Sequence, residues 1–369
     1  MKIAILGDHH LGYQRFEIDS YIQTEKAIID ASQKTDVILC AGDIFDIKIP
    51  KLETIKNAIE IFKKASIPIF AIHGNHERRS KDMVNPVQLL DTANQVKVLH
   101  GESVAFEKNG ERIQIFGLGS VPEEYAVVAL KKSLEKYTKK DDAFNVLMIH
   151  QSIKELMPGG EDELSLEYLE TLPFDLIVNG HIHETMVKLG GKLLIPGSTV
   201  ITQMKKTETS PKGYFIYDTY TKKHEFVDIG TRPFFYEILE FKDAGEYEVK
   251  DAIKKKVDEI KNKSPTALLT IKIDGTLKQG LSNSDISLEK YENVFLDNRL
   301  NIQSLAASME RIKDLRKENL PIKEIALKEL RSKTEGKITL FDTEEMFEKL
   351  LQGTDETLEY LENKQKKQE

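Results

Sequence analysis

Residues 1–200 alternate short apolar runs with longer stretches in which apolar positions recur at helical spacing. The runs are Ile3–Leu6, Val37–Cys40, Ile67–Ile72, Val146–Ile149 and Leu176–Val178. Nearly continuous runs this short suit strands covered on both faces. Between the first pairs lie helical patterns at Ile18–Gln33 and Leu52–Ala65. That βαβ rhythm predicts a layered α/β sheet. From about Gln114 the strand content rises. Lys188–Leu194 reads as a hairpin around Gly190-Gly191, and Gly213–Ile229 as two strands around Asp218–Lys223. The whole reads as an α/β two-sheet sandwich with helices outside.

A boundary falls near Thr231-Arg232-Pro233. Beyond it the pattern predicts strand Phe235–Phe241, helix Glu246–Lys263, and strands Ala267–Ile273 and Asn293–Leu296. Helical patterns follow at Ser304–Lys317 and Ile322–Lys333. After Gly336, Ile338, Leu340 and Phe341 precede a helix that Asp342 can cap, with Glu345 three residues on. Met346, Phe347, Leu350 and Leu351 form its apolar stripe; Gly353 breaks it, and Leu358 and Leu361 mark a second short helix. The expected organisation is a large first domain over 1–232 and a small α/β capping domain over 233–300, then a helical linker over 301–335 and a helix-loop-helix over 336–369. A helix-loop-helix this small cannot bury its stripe alone, so it docks on its own domain or on a partner.

Charge and cysteine content narrow the setting. The single cysteine, Cys40, lies in an apolar run and rules out an internal disulfide, which points to the cytoplasm. No apolar run approaches the roughly 18 residues a membrane helix needs, and the opening one is too short for a signal peptide. The formal net charge of −8 argues against a nucleic-acid partner for the chain as a whole. Residues 311–333, however, hold eight Lys/Arg against four Asp/Glu, and whole-chain charge can hide a local basic face.

Five short segments carry the candidate chemistry: Asp8-His9-His10, Gly42-Asp43, Gly74-Asn75-His76-Glu77, His150 and Gly180-His181-Ile182-His183. Each lies at or just after a predicted strand end, where open α/β sheets gather their ligands. Imidazole nitrogen and carboxylate oxygen together suit borderline divalent ions such as manganese, iron or zinc. A multi-thiolate zinc site is excluded, since Cys40 is the one cysteine. Two carboxylates against a pair of divalent cations leave about two positive charges uncancelled, enough to bind a phosphate and to acidify a water. Any one segment alone is an ordinary polar loop; the ordered set is what points to phosphoester hydrolysis.

In order, these segments resemble the calcineurin-like metallophosphoesterase superfamily, whose motifs run D-x-H, G-D, G-N-H-[DE], H and G-H-x-H. Carried over by position, the resemblance implies that Asp8, His10 and His183 hold one metal. Asn75, His150 and His181 hold the other, and Asp43 bridges them. It implies a catalytic, non-ligand role for His76, stabilising the pentavalent phosphate or protonating the leaving oxygen. His9 points away from His10, because neighbours in extended chain alternate faces. His73, His100 and His224 read as strand-end or surface residues.

Finer wording narrows the class. Asp8-His9-His10-Leu11-Gly12-Tyr13 is similar to the D-x-H-L-G-Y opening of the double-strand-break-repair nucleases, the SbcD and meiotic-recombination-eleven type. Ala41–Asp46 is similar to their G-D-L-F segment, and Thr231-Arg232-Pro233-Phe234 to the T-R-P-F of archaeal members. The resemblance implies a manganese-dependent DNA nuclease, a 3′-to-5′ exonuclease and single-strand endonuclease that processes double-strand break ends. It implies two divalent metal ions, a homodimer, and a coiled-coil ABC-type ATPase partner seated on Leu340, Phe341, Met346, Phe347, Leu350 and Leu351. Dimer helices would be Leu52–Ala65 and Met83–Ala93, although their apolar residues read equally as core. DNA contacts would come from Tyr13, Arg15, Arg78 and Arg79, with Lys254–Lys256 as a further candidate, or each is a solvated charged face. Two positions depart from the pattern. Asp46 stands where some relatives have His, which bears on the balance of exonuclease and endonuclease activity, and Glu77 replaces the commoner Asp.

Fold alone does not choose among phosphoesters. A phosphatase or phosphodiesterase for small molecules or proteins is the first alternative, but has no use for the region beyond residue 232. A DNA-tethering scaffold with minor catalysis is the second, and has no reason to keep the full metal and acid set.

Overall fold

The computed structural model describes residues 1–80, 83–157, 164–278 and 280–300, and beyond them Leu327, 345–347, Lys349 and Tyr360. Two compact units result, Met1–Asn298 and Arg299–Glu369. In the first, chain order runs β1 (Lys2–Leu6), α1 (Glu17–Lys34), β2 (Val37–Cys40), α2 (Leu52–Phe62), β3 (Ile69–Ala71), α3 (Pro86–Thr92) and β4 (Lys97–Val98). It continues β5 (Glu102–Lys108), β6 (Glu111–Leu118), α4 (Ala126–Leu134), β7 (Phe144–Ile149), α5 (Leu166–Thr171) and β8 (Leu176–Asn179). After β9 (Met186–Lys188), β10 (Leu193–Ile195), β11 (Gly213–Asp218) and β12 (Lys223–Asp228) come β13 (Phe234–Ala244), α6 (Glu246–Lys263), β14 (Leu268–Leu277) and β15 (Val294–Asn298).

Two six-stranded sheets form the sandwich, ordered β12-β11-β1-β2-β3-β4 and β5-β6-β7-β8-β10-β9. Strands β1–β4 are parallel, as are β6, β7, β8 and β10; the outer strands reverse. The continuous apolar runs resolve into two faces of period two. Ile3, Ile5, Val37 and Leu39 pack against Ile115, Val146, Met148 and Val178 between the sheets. Their neighbours Ala4, Leu6, Ile38 and Cys40 pack outward with Ala27, Ile28 and Ala31 of α1 and Ala58, Ile61 and Phe62 of α2. On the other side Leu147, Ile149 and Ile177 meet Leu130 of α4 and Leu169 of α5. Truncating any of these buried Leu or Ile side chains to Ala would cost about 2–5 kcal/mol.

Local sequence sets the helix starts that matter for the site. Asn85 caps α3 by accepting from the Val87 N–H (2.9 Å), Gln88 accepts from the Asn85 N–H (3.0 Å), and Pro86 occupies the first turn. The Asn85 amide also donates to the Glu77 carbonyl (2.9 Å), which ties α3 to the Gly74–Glu77 loop.

Strands β13, β14 and β15 form a parallel three-stranded sheet. Helix α6 covers it with Val249, Ile253, Val257 and Ile260, a spacing that keeps one face inward. Arg232, just before β13, pairs with Asp19 (2.6 Å) and lies over the Phe16 ring. Arg15 lies 4.7 Å over Phe295 of β15, and Phe16, Val200, Ile201 and Leu268 share one apolar cluster. The hairpin β9–β10 forms as the Gly190-Gly191 signal predicts, with the turn drawn into a short 3-10 segment at Leu189–Gly191. The β5–β6 hairpin is absent from the expectations above, although its Asn109-Gly110 turn takes positive φ at both residues (54° and 78°).

In the second unit, Met346 and Phe347 are helical and half-buried, and the Tyr360 hydroxyl donates to Glu345 (2.8 Å). Leu340, Phe341, Leu350 and Leu351 lie outside the described residues, as do the helical patterns Ser304–Lys317 and Ile322–Lys333 apart from Leu327. Among the described residues, no helix is long and apolar enough to cross a membrane.

Candidate metal centre

The five segments meet at one rim of the sandwich. Asp8 and His10 follow β1, Asp43 follows β2, and Asn75 and His76 follow β3, all in the first sheet. His150 follows β7, and His181 and His183 follow β8, in the second. Parallel strands deliver these carboxyl ends side by side, so residues far apart in sequence converge. Asp8, His10, Asp43 and His181 all hold positive φ (52°, 47°, 50° and 74°), a region that costs non-glycine residues about 1–3 kcal/mol each. Backbone bonds lock that geometry: Asp8 N–H donates to the Gly42 carbonyl (3.0 Å) and His10 N–H to the Asp43 carbonyl (3.0 Å). Gly42 has φ of 91°, and a Cβ there would sit 2.6 Å from His150 Nδ1, so only glycine admits the imidazole.

Among the described residues, three groups of potential ligand atoms lie within 4.8 Å of one another: Asp8, His10 and His183; His10, Asp43 and His76; and Asp8, Asp43 and His150. His10 Nε2 and His183 Nε2 face each other at 3.1 Å, and Asp8 Oδ1 lies 3.8 Å from His183 Nε2. His150 Nε2 stands 3.3 Å from Asp43 Oδ2 and 2.9 Å from Asn75 Oδ1, which is also 2.9 Å from His181 Nδ1. Asp43 lies between the two sets.

The residues fit divalent cations. Asp8 is fully buried; its Oδ1 accepts from the His181 N–H (3.0 Å), while Oδ2 has no donor among the described residues. A buried carboxylate oxygen without a donor needs a positive charge. Burial pushes the Asp8 carboxyl up to about 7, His150 pulls against it and Asp43 adds to it. Burial works the same way on Asp43, but His150 and His10 win and hold it well below the usual carboxylate range. Burial depresses His150, yet Asp43 and Asp8 lift it to about 9. His181 falls to about 4, through burial and then the His150 charge. Bound here, divalent ions supply Lewis acidity and lower the pKa of a water.

Outer partners fix which nitrogen each imidazole presents. His150 Nδ1 bonds the Ala41 carbonyl (2.7 Å), which leaves Nε2 for a ligand. His10 Nδ1 bonds Asp46 Oδ1 (3.2 Å), and His181 Nε2 meets Ser152 Oγ (3.0 Å), which donates to Glu123 (2.8 Å). His76 Nδ1 bonds the Asp46 carbonyl, and its Nε2 lies 4.0 Å from Asp43 Oδ2 at the exposed side of the cluster. A proton on that Nε2 would face a phosphate held over the cluster. Glu77 accepts from the Phe45 N–H (2.6 Å) and the Gly74 N–H (2.7 Å), and so closes the loop that carries Asn75 and His76. Burial and Asp43 push its carboxyl up to about 8.

The other candidates divide. Arg78 lines a cavity of about 420 Å³ beside Asn75, His150 and His181. Arg79 donates to Met83 Sδ (3.2 Å). Tyr13 spends its hydroxyl on the Thr202 carbonyl (2.7 Å), and Arg15 turns to Phe295. Lys255 pairs with Asp251 and Lys256 with Glu259. His9 is buried away from the cluster between Thr199 Oγ1 and Thr24 Oγ1 and edge-on to Phe62. His73 is a strand-end residue just past β3, half-buried beside Gly119 with its ring tilted against that of His100 at 4.8 Å.

Residues 1–185 match the calcineurin-like phosphoesterase family. The chain belongs to it. Among individual proteins, it is 29% identical over 259 residues to the double-strand break repair protein MRE11 of Encephalitozoon cuniculi, covering 58% of this chain and 45% of that one. It is 30% identical over 242 residues to the DNA double-strand break repair protein Mre11 of Methanocaldococcus jannaschii, covering 59% of this chain and 62% of the other. With the protein of the same name from Methanococcus maripaludis, identity is 25% over 363 residues and coverage is 89% of both. The chain thus spans 45% and 62% of the first two relatives. The family match and the two-sheet architecture agree with what the motifs imply.

Several supporting residues carry no motif. Asp46 enters the sequence argument only as a departure, although it orients both His10 and His76. Thr202, Glu208 and Lys212, behind His183, were not candidates either. The available signal was position: Pro196–Thr202 follows β10, which is parallel to β8, so it is a further strand end on the same rim.

Proposed function

We propose that this phosphoesterase is a manganese-dependent DNA nuclease that processes double-strand break ends, acting 3′ to 5′ on duplex ends and endonucleolytically on single strands. The carrying observation is the buried Asp/Asn/His cluster with His76 on its exposed side. The three relatives reported above are named for double-strand break repair, which supports DNA among phosphoesters. Asp8, His10, Asp43 and His183 would hold one ion, and Asp43, Asn75, His150 and His181 the other. Tyr13, Arg15, Arg78 and Arg79 are the proposed DNA contacts, and Arg78, which lines the cavity beside the cluster, is the best placed of them. The domain limits 1–232 and 233–300 and a cytoplasmic setting belong to the same proposal.

A homodimer is supported by apolar side chains left exposed around α2 and α3: Ile49 (69%), Leu52 (79%), Met83 (54%) and Val84 (60%). A coiled-coil ABC-type ATPase is the partner proposed for the helix-loop-helix over 336–369, in an amphipathic helix-on-partner mode. Deleting Gly336–Glu369 should abolish ATPase binding and leave nuclease activity.

The test is cleavage of end-labelled duplex and single-stranded DNA with manganese and then with EDTA, beside His76→Gln. Manganese-dependent shortening from 3′ ends, lost in His76→Gln, is the expected result. Turnover of p-nitrophenyl phosphate without any DNA cleavage would replace this reading with a phosphatase.

A further inference from the structure

Behind His183 lies a buried polar chain that no motif accounts for. His183 Nδ1 is 2.6 Å from Thr202 Oγ1, and the Thr202 hydroxyl donates to Glu208 Oε1 (2.8 Å). Glu208 Oε2 is 2.7 Å from Lys212 Nζ, which also donates to Ser198 Oγ (3.0 Å) and to the His183 carbonyl (3.2 Å). Thr202, Glu208 and Lys212 are 8%, 5% and 4% exposed, so their polar groups are matched from inside the protein, by hydrogen bonds and by the Glu208–Lys212 charge pair. Lys212 donates two hydrogen bonds, to Ser198 and to the His183 carbonyl, and meets Glu208 as an ion pair. An ion pair this deeply buried is poor value as a stabiliser, since desolvation offsets the attraction. Its geometry instead serves His183.

A hydroxyl has one proton. Glu208, paired with a lysine, is an acceptor, so the Thr202 proton goes to Glu208. Thr202 Oγ1 can then only accept from His183, which puts the His183 proton on Nδ1. The Nε2 lone pair is left aimed at His10 Nε2 and Asp8. Lys212 fixes the backbone of the same residue through its carbonyl, so ring and main chain are held from one point.

We propose that Thr202, Glu208 and Lys212 are positioning residues that set the tautomer and orientation of His183 for one of the two metal ions. The proposal rests on the metal-centre reading above. Ser152 and Glu123 stand behind His181 in the same order, hydroxyl then carboxylate, and provide an internal control at the other ion.

The test is calorimetric titration of manganese into the full chain. Wild type should show two equilibria. Thr202→Val should weaken one of them about 10–100-fold and leave the other unchanged, the usual scale for losing an outer partner of a metal ligand. Ser152→Ala should weaken the other one, and Thr202→Ser, which keeps the hydroxyl, should restore the first. Thr202→Val binding as tightly as wild type would overturn the relay. So would both equilibria weakening together without rescue by Thr202→Ser, the mark of a purely structural residue. Wild type binding no manganese would instead sink the metal-centre reading itself. Should Thr202→Val fail to fold, ¹⁵N NMR of histidine-labelled wild type decides: His183 protonated at Nδ1 supports the relay, and at Nε2 overturns it.

Discussion

Asp46 offers a quantitative check on how the centre is held. Its carboxylate reaches His10 Nδ1 at 3.2 Å, and its backbone carbonyl holds His76. Side-chain changes therefore touch His10 and spare most of the His76 contact. Asp46→Asn keeps an acceptor but loses charge assistance, a loss of about 1–1.5 kcal/mol, or roughly 5–10-fold in affinity. Asp46→Ala leaves a buried imidazole N–H without its acceptor, about 1–3 kcal/mol. The Asp46 side chain is 18% exposed, so water can replace part of the bond. That places Asp46→Ala near 1–2 kcal/mol, or about 5–30-fold. The assay is hydrolysis of bis-p-nitrophenyl phosphate against manganese concentration. The half-saturating manganese concentration should rise by those factors while the plateau rate stays near wild type. A plateau that falls with the midpoint unmoved would refute the reasoning, because Asp46 would then act on the reaction and not through His10.

Other consequences follow from the same contacts. Glu77→Ala strands two buried N–H groups, so unfolding by urea in EDTA should show a loss of about 2–5 kcal/mol; stability equal to wild type would contradict the loop's account. Before a metal binds, Asp8 titrates at about 7 and His150 at about 9, and each must lose its proton to become a ligand. Binding therefore releases protons, and manganese affinity should rise from about pH 6 to pH 9, with proton uptake on binding as the contrary result. Leu52→Glu puts charge on the exposed apolar patch and should shift light scattering from dimer to monomer, with nuclease activity on single strands retained; an unchanged dimer would move the interface elsewhere.

The sandwich was legible because its buried strands are short, continuous apolar runs between amphipathic helices. Ile3–Leu6 and Val37–Cys40 could hardly be anything but covered strands, and the α6 pattern Val249, Ile253, Val257 and Ile260 names its buried face without help. The β5–β6 hairpin escaped because β5 is half-exposed and alternates weakly, although Asn109-Gly110 is a strong turn signal. At the site, ligand types and strand-end positions were readable, since metal chemistry demands particular side chains. The supporting layer was not. Thr202, Ser152 and the Ala41 carbonyl act by hydrogen bonding to the far side of an imidazole, and any polar group in the right place can do that. Closeness in sequence to His76 favours Arg78 over Arg15, and Arg78 does line the cavity while Arg15 lies on Phe295.

The central claim is that two metal ions occupy the convergence of the five strand ends. Diffraction from crystals grown with manganese, recorded at the manganese absorption edge, tests it most directly. Two anomalous peaks are expected about 3.5–4 Å apart, one on each side of Asp43. One should contact His10 and His183, the other Asn75, His150 and His181. A crystal soaked to saturation with no peak between these residues, or with peaks only elsewhere, would contradict the account.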